Sequence, residues 1–149
     1  MKITIRTILK ILTVSLILSV AIANADTIKK IDFETIDKGV YSQYEENNKQ
    51  HVIEIYNQND WQTFWNKHTN GTFPPLELPK INFQKYFIVI AIDEIRNSGG
   101  YTLEIKDITI DTAFENRPFG IILKLKQPGS AATTTAALTR PYHIVKIKK

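Results

Sequence analysis

Residues 86–92 read Tyr-Phe-Ile-Val-Ile-Ala-Ile, an apolar run of strand length with no polar interruption. A strand that faces water on one side alternates apolar and polar residues. A run that is apolar at every position predicts a central strand buried on both faces. The neighbouring segments supply the rest of a sheet. His51 to Tyr56 alternates, with Ile53 and Ile55 on one face and Val52, Glu54 and Tyr56 on the other. Tyr101, Leu103 and Ile105 alternate with Thr102, Glu104 and Lys106, behind the turn residues Asn97-Ser98-Gly99-Gly100. That arrangement predicts a strand returning antiparallel to 86–92. The apolar phase flips at Ile108 and Ile110, as a bulge near Asp107 would produce. After a turn at Arg117-Pro118-Phe119-Gly120, Ile121, Leu123 and Leu125 alternate with lysines, and Tyr142 to Ile147 forms a last strand. Ile28, Ile31 and Phe33 open a first strand with weak phasing.

One segment has helical spacing. Trp61, Phe64, Trp65 and His68 recur at i, i+3, i+4 and i+7, a single stripe that predicts a core-facing helix. Asn59 is the expected N-cap, with Gln62 as its capping-box partner. Asp60 in the first turn and Lys67 and His68 in the last suit the helix dipole, and Asn70-Gly71 stops the helix. Residues 72–79 hold three prolines and form a connection. Residues 128–138 are small and polar and read as a loop. The predicted fold is α+β: an antiparallel sheet of five to six strands with one amphipathic helix packed on it.

The first 25 residues read as a secretory leader. Lys2, Arg6 and Lys10 precede an apolar run from Ile11 to Ile22, and the segment closes Ala23-Asn24-Ala25. The run is shorter than the roughly 20 residues that span a bilayer. Cleavage is expected before Asp26, which leaves 26–149 as one exported domain, periplasmic or secreted, with no stable membrane anchor. Three of the 19 basic residues and none of the 15 acidic ones lie in the leader, leaving 16 against 15. A net charge of +1 supplies no basic field to attract nucleic acid or an anionic membrane. Zero cysteines exclude disulfides, thiol catalysis and thiolate metal sites.

No catalytic constellation is legible. His51, His68 and His143 have no metal spacing. Asp93 and Glu94 follow the buried strand, and acids at strand ends are usually solvated. Ser42, Ser98 and Ser130 lack a nucleophile-elbow context, and no glycine-rich stretch joins a strand to a helix as a phosphate loop does. The expectation is therefore a protein without catalytic residues, cofactor or metal. What stands out is a pair of segments, Ser98-Gly99-Gly100-Tyr101 and Arg140-Pro141-Tyr142, each flanking a confident strand. As turn chemistry they supply glycines for positive φ and a proline leading into an edge strand. As a surface they combine backbone freedom with Tyr and Arg, types enriched in binding hot spots. The expectation is that the two segments lie near each other and form a partner-binding surface.

These residues carry a resemblance. Phe87-Ile88-Val89-Ile90, then Ser98-Gly99-Gly100-Tyr101, Pro128-Gly129 and Ala137-Leu138-Thr139-Arg140-Pro141-Tyr142-His143-Ile144-Val145 resemble the C-terminal domain of the PrcB family, named for a subunit of a bacterial surface protease complex. Asp60-Trp61 and Phe64-Trp65 are similar to what that family carries, so the likeness runs over about residues 52–147. The resemblance implies an exported accessory domain without established catalysis, with a protein partner such as a protease that it assists or stabilises. The named member is a lipoprotein, whereas this chain has no cysteine to lipidate, so surface anchoring does not carry over. A fainter likeness is to chagasin-type cysteine-protease inhibitors. Ser98-Gly99-Gly100 and either Arg117-Pro118-Phe119 or Arg140-Pro141-Tyr142 would imitate two of their loops. That likeness implies a protease inhibitor as the alternative within protein binding, with a periplasmic hydrolase as the alternative outside it.

Overall fold

Seven strands and one helix follow one another in a computed structural model that describes residues 27–113, 119–130 and 133–149. They are β1 (Ile28–Ile31), β2 (Phe33–Gly39), β3 (His51–Ile55), α1 (Gln58–His68), β4 (Tyr86–Ile92), β5 (Thr102–Asp111), β6 (Phe119–Lys126) and β7 (Tyr142–Lys148). The leader at 1–25 and the Arg117-Pro118 part of the expected turn lie outside the described residues. The strands form two sheets, a four-stranded one in the order β2–β7–β4–β3 and a three-stranded one in the order β1–β5–β6. The mostly β, antiparallel character with one short helix is as predicted. The expected single sheet of five to six strands is two sheets and seven strands.

The chain divides into two compact units. In the smaller, residues 27–30 join residues 109–113 and 119–120. There the carbonyl of Thr27 accepts from the backbone N–H of Thr112 at 2.7 Å and from its hydroxyl at 2.9 Å. The larger unit, Ile31–Ile108 with Ile121–Lys149, contains the four-stranded sheet and the helix.

In that sheet β4 is antiparallel to both neighbours, with Ile90 opposite Ile53 of β3 and Ile144 of β7. The period of two then sorts its side chains. Ile88, Ile90 and Ile92 face α1 and form one core with Ile55, Trp61, Phe64, Trp65, Tyr142 and Ile144. Phe87, Val89 and Ala91 point the other way and are equally buried, as are Val145 and Ile147 beside them. This is why the run carries no polar residue. All four residues of the helical stripe are buried, Trp61 completely. Their indoles also tether the proline-rich connection, Trp61 Nε1 donating to the carbonyl of Pro79 at 2.9 Å and Trp65 Nε1 to that of Leu76 at 3.4 Å.

Several expectations are corrected. The helix is capped by Asn57, not Asn59: the Asn57 side chain accepts from the Asp60 N–H at 2.9 Å and donates to the Asp60 carboxylate at 2.7 Å. The acid three residues on, rather than Gln62, completes the cap. The strand behind the Gly-Gly turn does not return against β4, because β5 lies in the other sheet. The place beside β4 is taken by β7, a central strand rather than the expected edge. The weakly phased first strand is two strands, and β2 shifts register against β7 between Thr35 and Asp37. At that bulge Ile36 packs on the helix-side core, while Asp37 lies opposite Ile144 on the same side.

Candidate functional site

After β4 the chain turns away from its sheet, and the residues that hold the turn are Asp93 and Arg96. Asp93 is 1% exposed, not solvated as its position suggested. Arg96 meets it with two hydrogen bonds, Nε to Oδ2 at 2.8 Å and Nη2 to Oδ1 at 3.0 Å, and reaches Glu94 with Nη1 at 2.7 Å. The bidentate contact with Asp93 pushes the guanidinium pKa further up against its partial burial. The same guanidinium lies 4.9 Å from the centre of the Tyr101 ring. Sequence reading passed over Arg96. Its i, i+3 spacing from Asp93 was the available signal.

Arg96 also joins the two segments singled out in the sequence. Its N–H donates to the carbonyl of Thr139 at 2.7 Å, and the Thr139 N–H donates back at 2.9 Å. The Thr139 hydroxyl donates to the carbonyl of Ser98 at 2.9 Å, and the Gly99 N–H to that of Thr135 at 3.0 Å. Gly100 has φ 87°, and a Cβ there would stand 2.8 Å from the Pro128 Cβ, so conformation and space both require glycine. The structure thus brings Ser98, Gly99, Gly100 and Tyr101 beside the segment that leads into β7.

That segment runs inward. The Asp93 N–H donates to the Pro141 carbonyl at 2.8 Å. Tyr142 is 8% exposed, its hydroxyl donating to Asp37 Oδ2 at 3.0 Å. Burial first and the Asp37 charge second push the phenol pKa up. The Tyr142 ring lies so close to Gly39 on β2 that a Cβ there would stand 2.8 Å from the hydroxyl oxygen. Arg140 is 6% exposed. Its backbone joins the chain after β2, with its N–H donating to Val40 at 2.8 Å and its carbonyl accepting from Ser42 at 3.2 Å. Its Nη1 donates to the Tyr44 carbonyl, while its Nε is buried with no partner among the described residues. Arg140 lines a cavity of about 130 Å³ together with Tyr41, Ser42, Gln43, Glu45, Ile95 and Leu138. A second concavity, bordered by Glu46, Asn47 and Asn48, shares Arg140, Ile95 and Glu45 with the first. Leu138 and Tyr41 stand out at the surface, 68% and 61% exposed.

A polar cluster lies under this region. The Ser42 hydroxyl is 2.9 Å from His68 Nδ1, and His68 Nε2 is 3.8 Å from Asp37 Oδ2. The His68 ring, followed by the Tyr142 hydroxyl, holds the Asp37 carboxyl below the ordinary carboxylate range. These are the residue types of a charge-relay triad, and sequence spacing gave no hint of them. The geometry is not that of an active site. Ser42 is 5% exposed, its oxygen already accepts from the Tyr44 N–H at 3.3 Å, and 3.8 Å is an ion-pair separation rather than a hydrogen bond. Among the described residues no cluster of His, Asp and Glu has the arrangement of a metal site.

No curated protein and no solved structure matches the chain. A family model described as PrcB C-terminal matches residues 87–148. It starts within β4 and ends on the last residue of β7, so β3 and α1, which the resemblance had included, lie outside it. The Gly-Gly turn, the Arg96–Thr139 latch and the Arg140-Pro141-Tyr142 segment all fall inside. Residues 87–148 of this chain match the PrcB C-terminal family, the one its turn and lead-in motifs pointed to.

Proposed function

We propose that this chain is an exported, non-catalytic accessory domain that binds a protein partner, a protease or a component of a protease complex. The observation that carries the reading is the latch between Arg96 and Thr139, which fixes the Ser98–Tyr101 turn and the lead-in to β7 as one unit. A scaffolded pair of loops beside exposed Tyr41 and Leu138 has the make-up of a binding surface: rigid backbone, aromatic and aliphatic contact area, and arginine. In this reading Ser98, Gly99, Gly100 and Tyr101 supply the outer contact. Arg140, Pro141 and Tyr142 act from beneath, with Arg140 reaching a concavity. The family match supports an accessory role. The occluded Ser42 supports the absence of hydrolytic chemistry.

The test is a pull-down from the envelope fraction with tagged protein, comparing wild type with a Tyr41→Asp/Leu138→Asp variant. Both positions are exposed, so the variant should melt like wild type and lose the captured protein. Equal capture by both would move the site elsewhere. A peptidase assay on the captured partner separates assistance from inhibition by the sign of the rate change. The leader is tested by intact mass, since exported protein is expected to begin at Asp26.

A further inference from the structure

Two arginines lie on either side of the Thr139 latch, and their surroundings differ. Arg96 has its charge met by two carboxylates and an aromatic face. Arg140 is more deeply buried and has no carboxylate partner among the described residues, only the Tyr44 carbonyl, and its Nε–H meets nothing. A guanidinium carries five donors and a permanent charge, and burying one unpaired is unfavourable by several kcal/mol. Glu45 and Glu46 border the concavities, yet neither is paired with it. Glu46 accepts instead from the Tyr44 hydroxyl at 3.0 Å.

We infer that Arg140 is a carboxylate receptor, and that its occupant is an acidic side chain, Asp or Glu, from an extended segment of the partner protein. Three features define the segment. The two concavities share Arg140, Ile95 and the exposed Glu45, so a chain can pass along both and set one side chain down against the buried guanidinium. Tyr41 and Leu138 offer apolar contact on one side of that guanidinium. Glu46 borders the other side and Glu45 lines both concavities, and together they favour a basic residue next to the acid and disfavour a second acid. The motif is therefore basic, acidic, apolar. This inference rests on the protein-binding reading and names the chemistry of its partner.

The probe is acetyl-lysyl-glutamyl-leucine amide, titrated to roughly millimolar concentration against ¹⁵N-labelled protein. The expected result is a shift of the Arg140 Nε–H resonance together with the Ser42 and Ile95 amides. The glutamine counterpart should bind on the order of tenfold or more weaker, because it cannot supply the charge. Arg140→Lys, checked for an unchanged melt, should bind the glutamate peptide several-fold more weakly while keeping part of the preference, since lysine retains the charge but lacks the planar fork. Should Arg140→Lys not fold, the resonance shift and the Glu-against-Gln ratio in wild type still decide. A still Arg140 resonance, or equal binding of the two peptides, overturns the inference. So does stronger binding of the glutamine peptide with a free C-terminus, which would make a chain end the occupant. Capture of a partner that depends on Tyr41 and Leu138 without any carboxylate preference would sink this inference alone. Loss of both would sink the binding reading too.

Discussion

Each face of the four-stranded sheet buries one histidine, and the two are held by different means. On the helix side His68, 2% exposed, stands between a hydroxyl and a carboxylate and meets the edge of the Tyr142 ring at 4.4 Å. On the other side His143, 3% exposed, sits opposite Ala91 of β4 and Lys38 of β2. Its Nδ1 accepts from the backbone N–H of Ile105 at 2.9 Å, which makes Nε2–H the donor to Thr35 Oγ1, also at 2.9 Å. Burial, followed by the charge of Lys38, holds the His143 pKa below its ordinary 6.5. One face therefore keeps an anion, Asp37, within its polar contacts. The other uses a neutral imidazole as a bridge, with the charged Lys38–Glu104 pair at its exposed margin. An apolar sheet tolerates polar groups in either way, provided that each is partnered.

The comparison can be broken from the helix side first. Trp61→Ala should lower unfolding free energy by about 3–5 kcal/mol, the cost of truncating a large buried aromatic. The loss includes the Pro79 tether. Urea melts giving less than about 1 kcal/mol would mean that the helix does not anchor this face. Next, His143→Leu should cost about 1–3 kcal/mol at neutral pH, because the buried Ile105 N–H loses its acceptor.

The same variant sharpens the contrast through pH. The folded pKa of His143 is depressed, so its contribution is complete above 6.5 and is lost as pH falls through the folded value. The folded pKa of Asp37 is also depressed, but from 3.8, so its contribution is complete above that value and is lost only below it. Wild-type stability should begin to fall below 6.5 and fall again below 3.8, and His143→Leu should abolish the upper fall only. Melts from pH 7 to pH 3 that lose both falls, or neither, would refute the assignment. Tyr142→Phe, which removes the hydroxyl from Asp37, should cost about 1 kcal/mol. Lys38→Ala should be smallest. Its pair with Glu104 at 3.3 Å is exposed and worth no more than about 0.5 kcal/mol. The informative readout is the upper fall, which should move toward 6.5 once the lysine charge is gone.

The helical stripe and the doubly buried β4 were legible because periodicity alone decides them. The Ser98–Tyr101 turn and the lead-in to β7 stood out by their residue types, but the structure joins them through Thr139 and not through the hairpin that the pattern suggested. Sheet membership was not legible. Residues 93–101 read as a hairpin turn, and only the pairing of β5 with β1 and β6 shows that the chain leaves one sheet for the other. The bulge at Ile36 was invisible for a related reason: a one-residue register shift is set by a partner strand more than 100 residues away. The buried Arg140, Asp93 and Ser42 belong to residue types that are mostly exposed, so composition argued against them. Their burial depends on partners that converge only in three dimensions.

Gly39 and Tyr142 bring that dependence into the chain's history. The aromatic ring occupies the volume that any other residue at 39 would need. Alanine at 39 should therefore be disfavoured while tyrosine stays at 142, and become acceptable once 142 is reduced to a smaller side chain. Across descendants of this sequence the two sites should drift as a linked pair, with an intermediate bearing alanine and tyrosine together the rarest of the four combinations.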